Sequence, residues 1–187
     1  NKLATSLTAY KNVQLKDSKK NIIIYADEIL YIKSQEFIVA KGNVSLNDSA
    51  TDTIINAGKI SYSKNKEEII ASDEVEFIDS KKDIVIKSEK ITYLKKLSKI
   101  ITEGITKGEI YSKYNFDTKN ITFFKDEMIL SSSDKTIIID DEFTLFELSS
   151  FNFEIKNEFL KGTDIAVIHN SQVPLGESDK LYFKNGF

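Results

Sequence analysis

The sequence predicts an all-β protein in which about six stacked repeats of roughly 30 residues form two facing antiparallel sheets. An aromatic residue recurs at intervals of 31, 31, 30, 30 and 30 residues, at Tyr31, Tyr62, Tyr93, Phe123, Phe153 and Phe183. Ile, Val, Thr, Tyr and Phe are concentrated in short runs bounded by Lys, Asn, Asp, Ser and Gly, which is typical of strands joined by turns. Helical spacing is not sustained anywhere in the 187 residues.

Each repeat starts with a strand of alternating character. In KISYSK (59–64), Ile60 and Tyr62 fall on one face while serines fall on the other, and FNFEIK (151–156) alternates in the same way. This period of two predicts one buried and one solvated face. A polar turn and a second strand follow, as in EFIVA (36–40), and most copies add a third strand such as NVSL (43–46).

Stacking decides how such repeats become stable. A single repeat cannot bury its apolar face, but a stack extends one apolar strip along its inside. The two ends of a stack present unpaired backbone groups, which are either capped or used to pair with another protein. We expect residues 1–20 to be a leader or a degraded half-repeat and 21–187 to be a single domain, cut before a larger C-terminal region.

Composition argues against several functions. All 26 basic residues are Lys and the net charge is −3, so nucleic-acid binding lacks its usual Arg contacts. There is no Cys and only one His, His169, which disfavours zinc sites and Ser-His-Asp catalysis. The acidic run 140–142 has no calcium-loop spacing and is predicted to be a solvated turn. We therefore predict no enzyme, no cofactor and no metal site.

Lysines are frequent in the predicted turns. They are interpreted mainly as solvated residues that also discourage edge pairing, with contact to lipid phosphates as the alternative. The lysines concerned are Lys64, Lys66, Lys81, Lys82, Lys95, Lys96 and Lys99.

One repeat carries a family resemblance. ADEILYIKSQEFIVAKGNVSL (26–46) resembles the core repeat of the OstA-like lipopolysaccharide-transport domains, through Ala26-Asp27, Tyr31 and Gly42-Asn43-Val44, which is expected to close the hairpin of the repeat. Degraded versions follow around Tyr62 and Tyr93. The family includes LptA, LptC and the N-terminal periplasmic domain of LptD, and the number of repeats is most like LptD. Many LptD proteins link this domain to their barrel by disulfides, and this chain has no Cys.

The resemblance implies an open β-jellyroll, a taco of two antiparallel sheets whose groove holds lipid acyl chains. It implies a periplasmic module attached to the outer membrane, with lipopolysaccharide, other Lpt jellyrolls docked by strand addition, and an outer-membrane barrel as partners. The residues expected to line the groove are Ile22, Ile24, Ile29, Tyr31, Ile60, Tyr62, Ile91, Tyr93, Ile121, Phe123, Phe151 and Phe153.

Two other classes of function remain open. A structural β-solenoid or adhesin-like stalk would have a closed core, with regular ladders and no groove. A glycosidase or lyase on a β-helix would need carboxylates or aromatic residues clustered on the solvated face, whereas the aromatic residues here alternate inward.

Overall fold

The computed structural model describes residues 5–168 and 181–186, with side chains placed for residues 5–167. The chain is all-β, as predicted, and the described residues contain no α-helix. Its strands are β1 (Ser6–Asp17), β2 (Ile22–Ile32), β3 (Phe37–Asp48), β4 (Thr53–Ser63), β5 (Glu68–Asp79), β6 (Ile84–Leu94), β7 (Lys99–Ile110), β8 (Tyr114–Lys119), β9 (Thr122–Phe124), β10 (Ile129–Ser132), β11 (Thr136–Ile139), β12 (Leu145–Leu148), β13 (Ser150–Glu154), β14 (Phe159–Ile168) and β15 (Leu181–Gly186). Short 3-10 turns occupy Lys33–Gln35, Lys95–Leu97 and Ile155–Asn157.

The first seven strands form an antiparallel meander of strands 11 or 12 residues long, each paired with the next. Their register shifts near the middle of every pair, for example between Lys41 and Val44 where β3 meets β4. A β-bulge bends a strand and increases its local twist. A line of bulges at the same height therefore bends the whole sheet, so that each strand contributes to two layers.

Residues with left-handed backbone lie at the bulges, where the sheet bends; we call this line of bends the corner. Gly42 has φ +73 and Gly104 has φ +87, a region that glycine adopts without steric cost. A Cβ added at Gly42 would lie 2.4 Å from Oδ2 of Asp27, because the Asp27 side chain of β2 occupies the space beside this glycine. The predicted Gly42-Asn43-Val44 element is thus the bend of the repeat rather than the end of a hairpin.

The last strands close on themselves. β7 pairs with β8 through Ile105–Ile110 and with β9 through Lys99–Ile101. From β7 the ladder runs through β8, β11 and β12 to β14, and it returns through β13, β10 and β9. These eight strands form a closed antiparallel β-barrel.

The predicted open jellyroll is therefore wrong. In the second half of the chain, short breaks interrupt the strands at the corner, as at Asn120–Ile121 between β8 and β9. Each half-strand then stays in one layer, while the unbroken β7 and β14 join the two layers at either end. The repeat pattern shows which residues face inward but does not show where strands break, so the sequence did not predict closure.

The rest of the meander is also folded shut. Its turns form two rows at opposite ends of the strands. Row A contains the turns after β1, β3, β5 and β7, and row B contains those after β2, β4, β6, β9 and β13. In a flat sheet, strands of 11 residues would hold these rows about 36 Å apart. Asp17 in row A nevertheless lies 2.8 Å from Lys64 in row B, which requires the two rows to meet. We call this line of contact the mouth.

Most of the described part of the segment before residue 21 belongs to the sheet. Ser6–Asp17 forms β1, which pairs with β2 along its whole length, from Ser6 opposite Ile32 to Asp17 opposite Ile22. The division of the chain into a leader and one domain stays a prediction.

Candidate functional site

The structure brings the predicted groove residues together in one apolar interior between the two layers. Eleven of the twelve are buried, with exposed fractions between 0% and 5%, and Tyr31 near the β1 end is half-buried. The buried set is Ile22, Ile24, Ile29, Ile60, Tyr62, Ile91, Tyr93, Ile121, Phe123, Phe151 and Phe153. Contact of these residues with lipid stays a prediction.

Aromatic rings cross the interior between layers and repeats. Phe77 and Tyr93 meet edge to face with centroids 5.5 Å apart, and Tyr114 meets Phe153 in the same way at 4.9 Å. The hydroxyl of Tyr62 is buried without a hydrogen-bond partner, and burial together with Asp17 raises the pKa of Tyr62 above its usual value. The interior is packed as a protein core in this state.

Three ion pairs at repeat spacing close the mouth over this interior. Asp17 pairs with Lys64 at 2.8 Å, Asp48 with Lys95 at 2.5 Å and Asp79 with Lys125 at 2.7 Å. In every pair the carboxylate comes from row A and the ammonium group from row B. We call these pairs inner rungs 1, 2 and 3, counted from β1.

Each aspartate of an inner rung also fixes its own turn. Oδ1 of Asp17 accepts the backbone N–H of residue 19, Oδ1 of Asp48 accepts that of residue 50, and Oδ1 of Asp79 accepts those of residues 81 and 82. These are Asx turns, which hold the side chain against its own backbone. Oδ2 is left to face the lysine, so the turn positions the carboxylate before the ion pair forms.

The fourth rung position is apolar on both sides. Ile110 occupies the place of the row A aspartate, 31 residues after Asp79, and Ile155 occupies that of the row B lysine, 30 residues after Lys125. Both isoleucines are buried in the core, at 0% and 2% exposure. At this position two isoleucines replace both the carboxylate and the ammonium group, and both lie in the closed β-barrel.

A second set of ion pairs lies outside the first, with its charges reversed. Lys20 pairs with Glu67, Lys82 with Asp126 at 2.7 Å, and Lys113 with Glu158 at 2.6 Å, so here row A is basic and row B acidic. At rung 2 the places of Lys20 and Glu67 are taken, 31 residues further on, by Thr51 and Ser98, which cannot form an ion pair.

Burial of the inner rungs deepens away from β1. The exposed fractions of the lysine side chains are 20%, 11% and 4% along rungs 1, 2 and 3. The ammonium group of Lys125 also lies 5.5 Å from the centroid of the Tyr93 ring, a cation–π contact. At rung 1, burial opposes ionisation of Asp17, but the hydrogen bond and charge of Lys64 outweigh it and lower the pKa of Asp17.

Two parts of the described interior lie near solvent. At the barrel, a cleft between the layers is lined by Tyr114, Ile138, Phe153 and Leu160, and the acidic turn 140–142 lies on its rim. At the other end, the half-buried Val13 and Leu15 of β1 pack against the core at the edge of the sheet.

β1 is an edge strand that differs from the strands behind it. Among the strands that the structure describes it pairs with β2 alone, and residues 5–12 are exposed on both faces. Leu7 and Tyr10 are 62% and 67% exposed. An edge with free backbone groups and apolar side chains is a template for strand addition.

Other residues singled out in the sequence have structural roles. Asp140 accepts the backbone N–H groups of Glu142 and Thr144 at 3.0 and 2.8 Å, so the acidic run forms a turn. Within the described ranges, no three His, Asp or Glu side chains are grouped as a metal site would require. His169 lies outside the described residues. Among the described residues, no helix has the length and hydropathy that crossing a bilayer needs.

Five of the turn lysines singled out in the sequence make two kinds of contact. Lys64, Lys95 and Lys82 form ion pairs across the mouth, so they are structural rather than free turn residues. Lys96 donates to the carbonyl of Asn65, and Lys99 lies over the ring of Phe124.

Sequence reasoning missed the rungs although a signal was present. Asp recurs at 17, 48 and 79 and Lys at 64, 95 and 125, with nearly the same period as the aromatic residues. The two members of a rung are 46 or 47 residues apart, however, so their pairing becomes visible only when the sheet is folded.

A scan against protein-family models finds no family that matches this chain, and a search of curated proteins finds no match either.

Proposed function

We propose that this chain is a non-enzymatic lipid-transport module. It holds acyl chains of lipopolysaccharide in its apolar interior and docks through the β1 edge to another β-structured transport protein in the periplasm. The observation that carries this proposal is the continuity of the interior, which extends from Val13 and Leu15 at β1 to the cleft lined by Phe153 and Leu160.

The chemistry of the interior suits an acyl chain. Its walls are Ile, Leu, Val, Phe and Tyr side chains, and burying a methylene group against such surface stabilises by about 0.8 kcal/mol. Because interior residues such as Ile60 and Tyr62 are at most 1% exposed, a chain enters only where the layers part or through the cleft. The exposed edge of β1 provides the docking surface.

A photo-crosslinking experiment tests this function. A photoreactive residue replaces Phe153, which lines the cleft, and in a matched variant it replaces Asn152, the exposed neighbour on the opposite face of β13. In cells that make lipopolysaccharide, we expect lipid adducts from position 153 and none from 152. Equal labelling at both positions, or no adduct at 153 in a folded periplasmic protein, would contradict the proposal.

A second candidate is a structural stalk with a closed core. The observation that favours it is the closed mouth, where rung 3 holds both side chains to at most 4% exposure. Under this alternative the interior is only a core and β1 is the interface. A photoreactive residue at Leu7 would then give protein adducts while position 153 gives no lipid adducts.

A further inference from the structure

The fourth rung position shows that the fold accepts an apolar pair at the mouth. Ile110 and Ile155 stand where the other three repeats place a carboxylate and an ammonium group. Replacing a buried ion pair by apolar residues of similar volume is often neutral or stabilising. Stability of the closed state alone therefore does not account for three charged rungs.

Charged and apolar rungs differ in what happens when the layers part. A separated carboxylate and ammonium group regain the hydration that burial removed, whereas separated isoleucine side chains expose apolar surface to water. A charged rung thus resists opening less than an apolar one does. The position of the apolar rung agrees with this difference, because it lies in the closed barrel.

The rungs are graded from the β1 end. The side chain of Lys64 is 20% exposed and that of Lys125 only 4%, so water reaches rung 1 first. The aspartate side chains are held by hydrogen bonds in their own turns, so the lysine side chains are the ones that move away when a rung separates. A freed Lys is a flexible positive charge beside the apolar interior.

We propose that the three inner rungs are a latch through which the two layers part from the β1 end inward, while the fourth rung position keeps the barrel shut. The opened mouth admits an acyl chain with an anionic head group, which replaces an aspartate as the partner of a rung lysine. This second statement rests on the proposed function, whereas the opening itself does not.

Rung 2 is the place to test the latch, because Thr51 and Ser98 give it no outer ion pair. The sealed variant D48I/K95I copies the apolar rung of the same chain. Since the chain has no Cys, a single thiol introduced as Ala71→Cys, at a fully buried place in β5, reports parting of the layers by its rate of labelling. Ala166→Cys, buried in β14, is the matched reference in the barrel.

In the parent background we expect the thiol at position 71 to be labelled at least about tenfold faster than the thiol at position 166, a difference of about 1.4 kcal/mol in opening free energy. D48I/K95I should lower the ratio of the labelling rates at positions 71 and 166 to about one, even though isoleucine cannot accept the turn N–H that Oδ1 of Asp48 accepts. Taking the ratio within one background removes any effect of global stability. A ratio near one already in the parent, or an unchanged ratio in D48I/K95I, would overturn the latch.

Binding of parinaric acid, a fluorescent fatty acid with a carboxylate, separates the latch from the lipid function. We expect the parent to bind the acid more tightly than its methyl ester, and the sealed variant to bind the acid about tenfold more weakly. If sealing slows thiol labelling but neither protein binds the acid, the latch stands and the proposed function fails. If both proteins bind the acid equally, acyl chains do not enter through the latch, and that part of the proposal is wrong.

Discussion

Neutralising the carboxylate of rung 3 should destabilise this protein far more than neutralising that of rung 1. Asp79 and Lys125 are 1% and 4% exposed and 2.7 Å apart, so Asp79→Asn leaves a buried ammonium group without a counter-charge. Breaking a buried pair in this way costs about 3–5 kcal/mol. Asp17 and Lys64 are 7% and 20% exposed, so Asp17→Asn should cost about 1 kcal/mol.

Asparagine is the appropriate replacement because its amide oxygen still accepts the turn N–H groups that Oδ1 of Asp79 now accepts. Urea unfolding followed by circular dichroism gives the free energies, provided that the m-value is unchanged. We expect Asp79→Asn to cost at least about 2 kcal/mol more than Asp17→Asn. D79I/K125I should recover part of that loss, because it removes the unpaired ammonium group but also removes the acceptor of the two turn N–H groups. Equal costs for the two single variants would refute the argument from burial, and so would a double variant no more stable than Asp79→Asn.

The corner, the interior and rung 1 each supply a further prediction. Gly42→Ala should destabilise the protein by about 1–2 kcal/mol because φ at this position is +73. Asp73→Gly should stabilise it slightly, because Asp73 lies at the equivalent bulge with φ +70. Thermal unfolding of both variants checks that the two effects have opposite signs. Tyr62→Phe removes a buried hydroxyl that has no partner, so stability should stay equal or rise, and a loss above about 1 kcal/mol would show that the hydroxyl is satisfied. The pKa of Asp17 is lowered beside Lys64, so its contribution to stability is present above the unfolded pKa of about 3.9 and is lost as pH falls through the folded value. Asp17→Asn should therefore flatten the acid limb of a stability–pH curve, and an unchanged slope would contradict the pairing.

The sequence predicted the strands and their inward faces because both depend on local pattern. Tyr62, Tyr93 and Phe123 recur at a fixed interval within alternating strands, and all three are buried as the alternation requires. The β1 strand and the bulges at Gly42 were less visible, since the first lacks an Ile-x-Tyr motif and the second was interpreted as the end of a hairpin.

Closure could not be predicted from the same pattern. An inward-facing Ile has the same alternation whether it lines an open groove or a packed core. The difference comes from contacts between distant residues, such as Asp48 with Lys95, and from strand breaks such as the one at Asn120–Ile121. Only the period shared by the aspartates and lysines carried information about the mouth. Which aspartate pairs with which lysine becomes apparent only when the sheet is folded at its bulges.

The distance between the two rows of turns tests the closed mouth most directly. Spin labels at Ala50→Cys in row A and Leu97→Cys in row B flank rung 2, and both positions are exposed. Double electron–electron resonance should give a single short distance, about 20 Å or less, because the rows meet at the mouth and packed layers lie close together. A dominant distance near the strand length of about 36 Å would mean that the rows stay apart and that the sheet is open, contradicting this account.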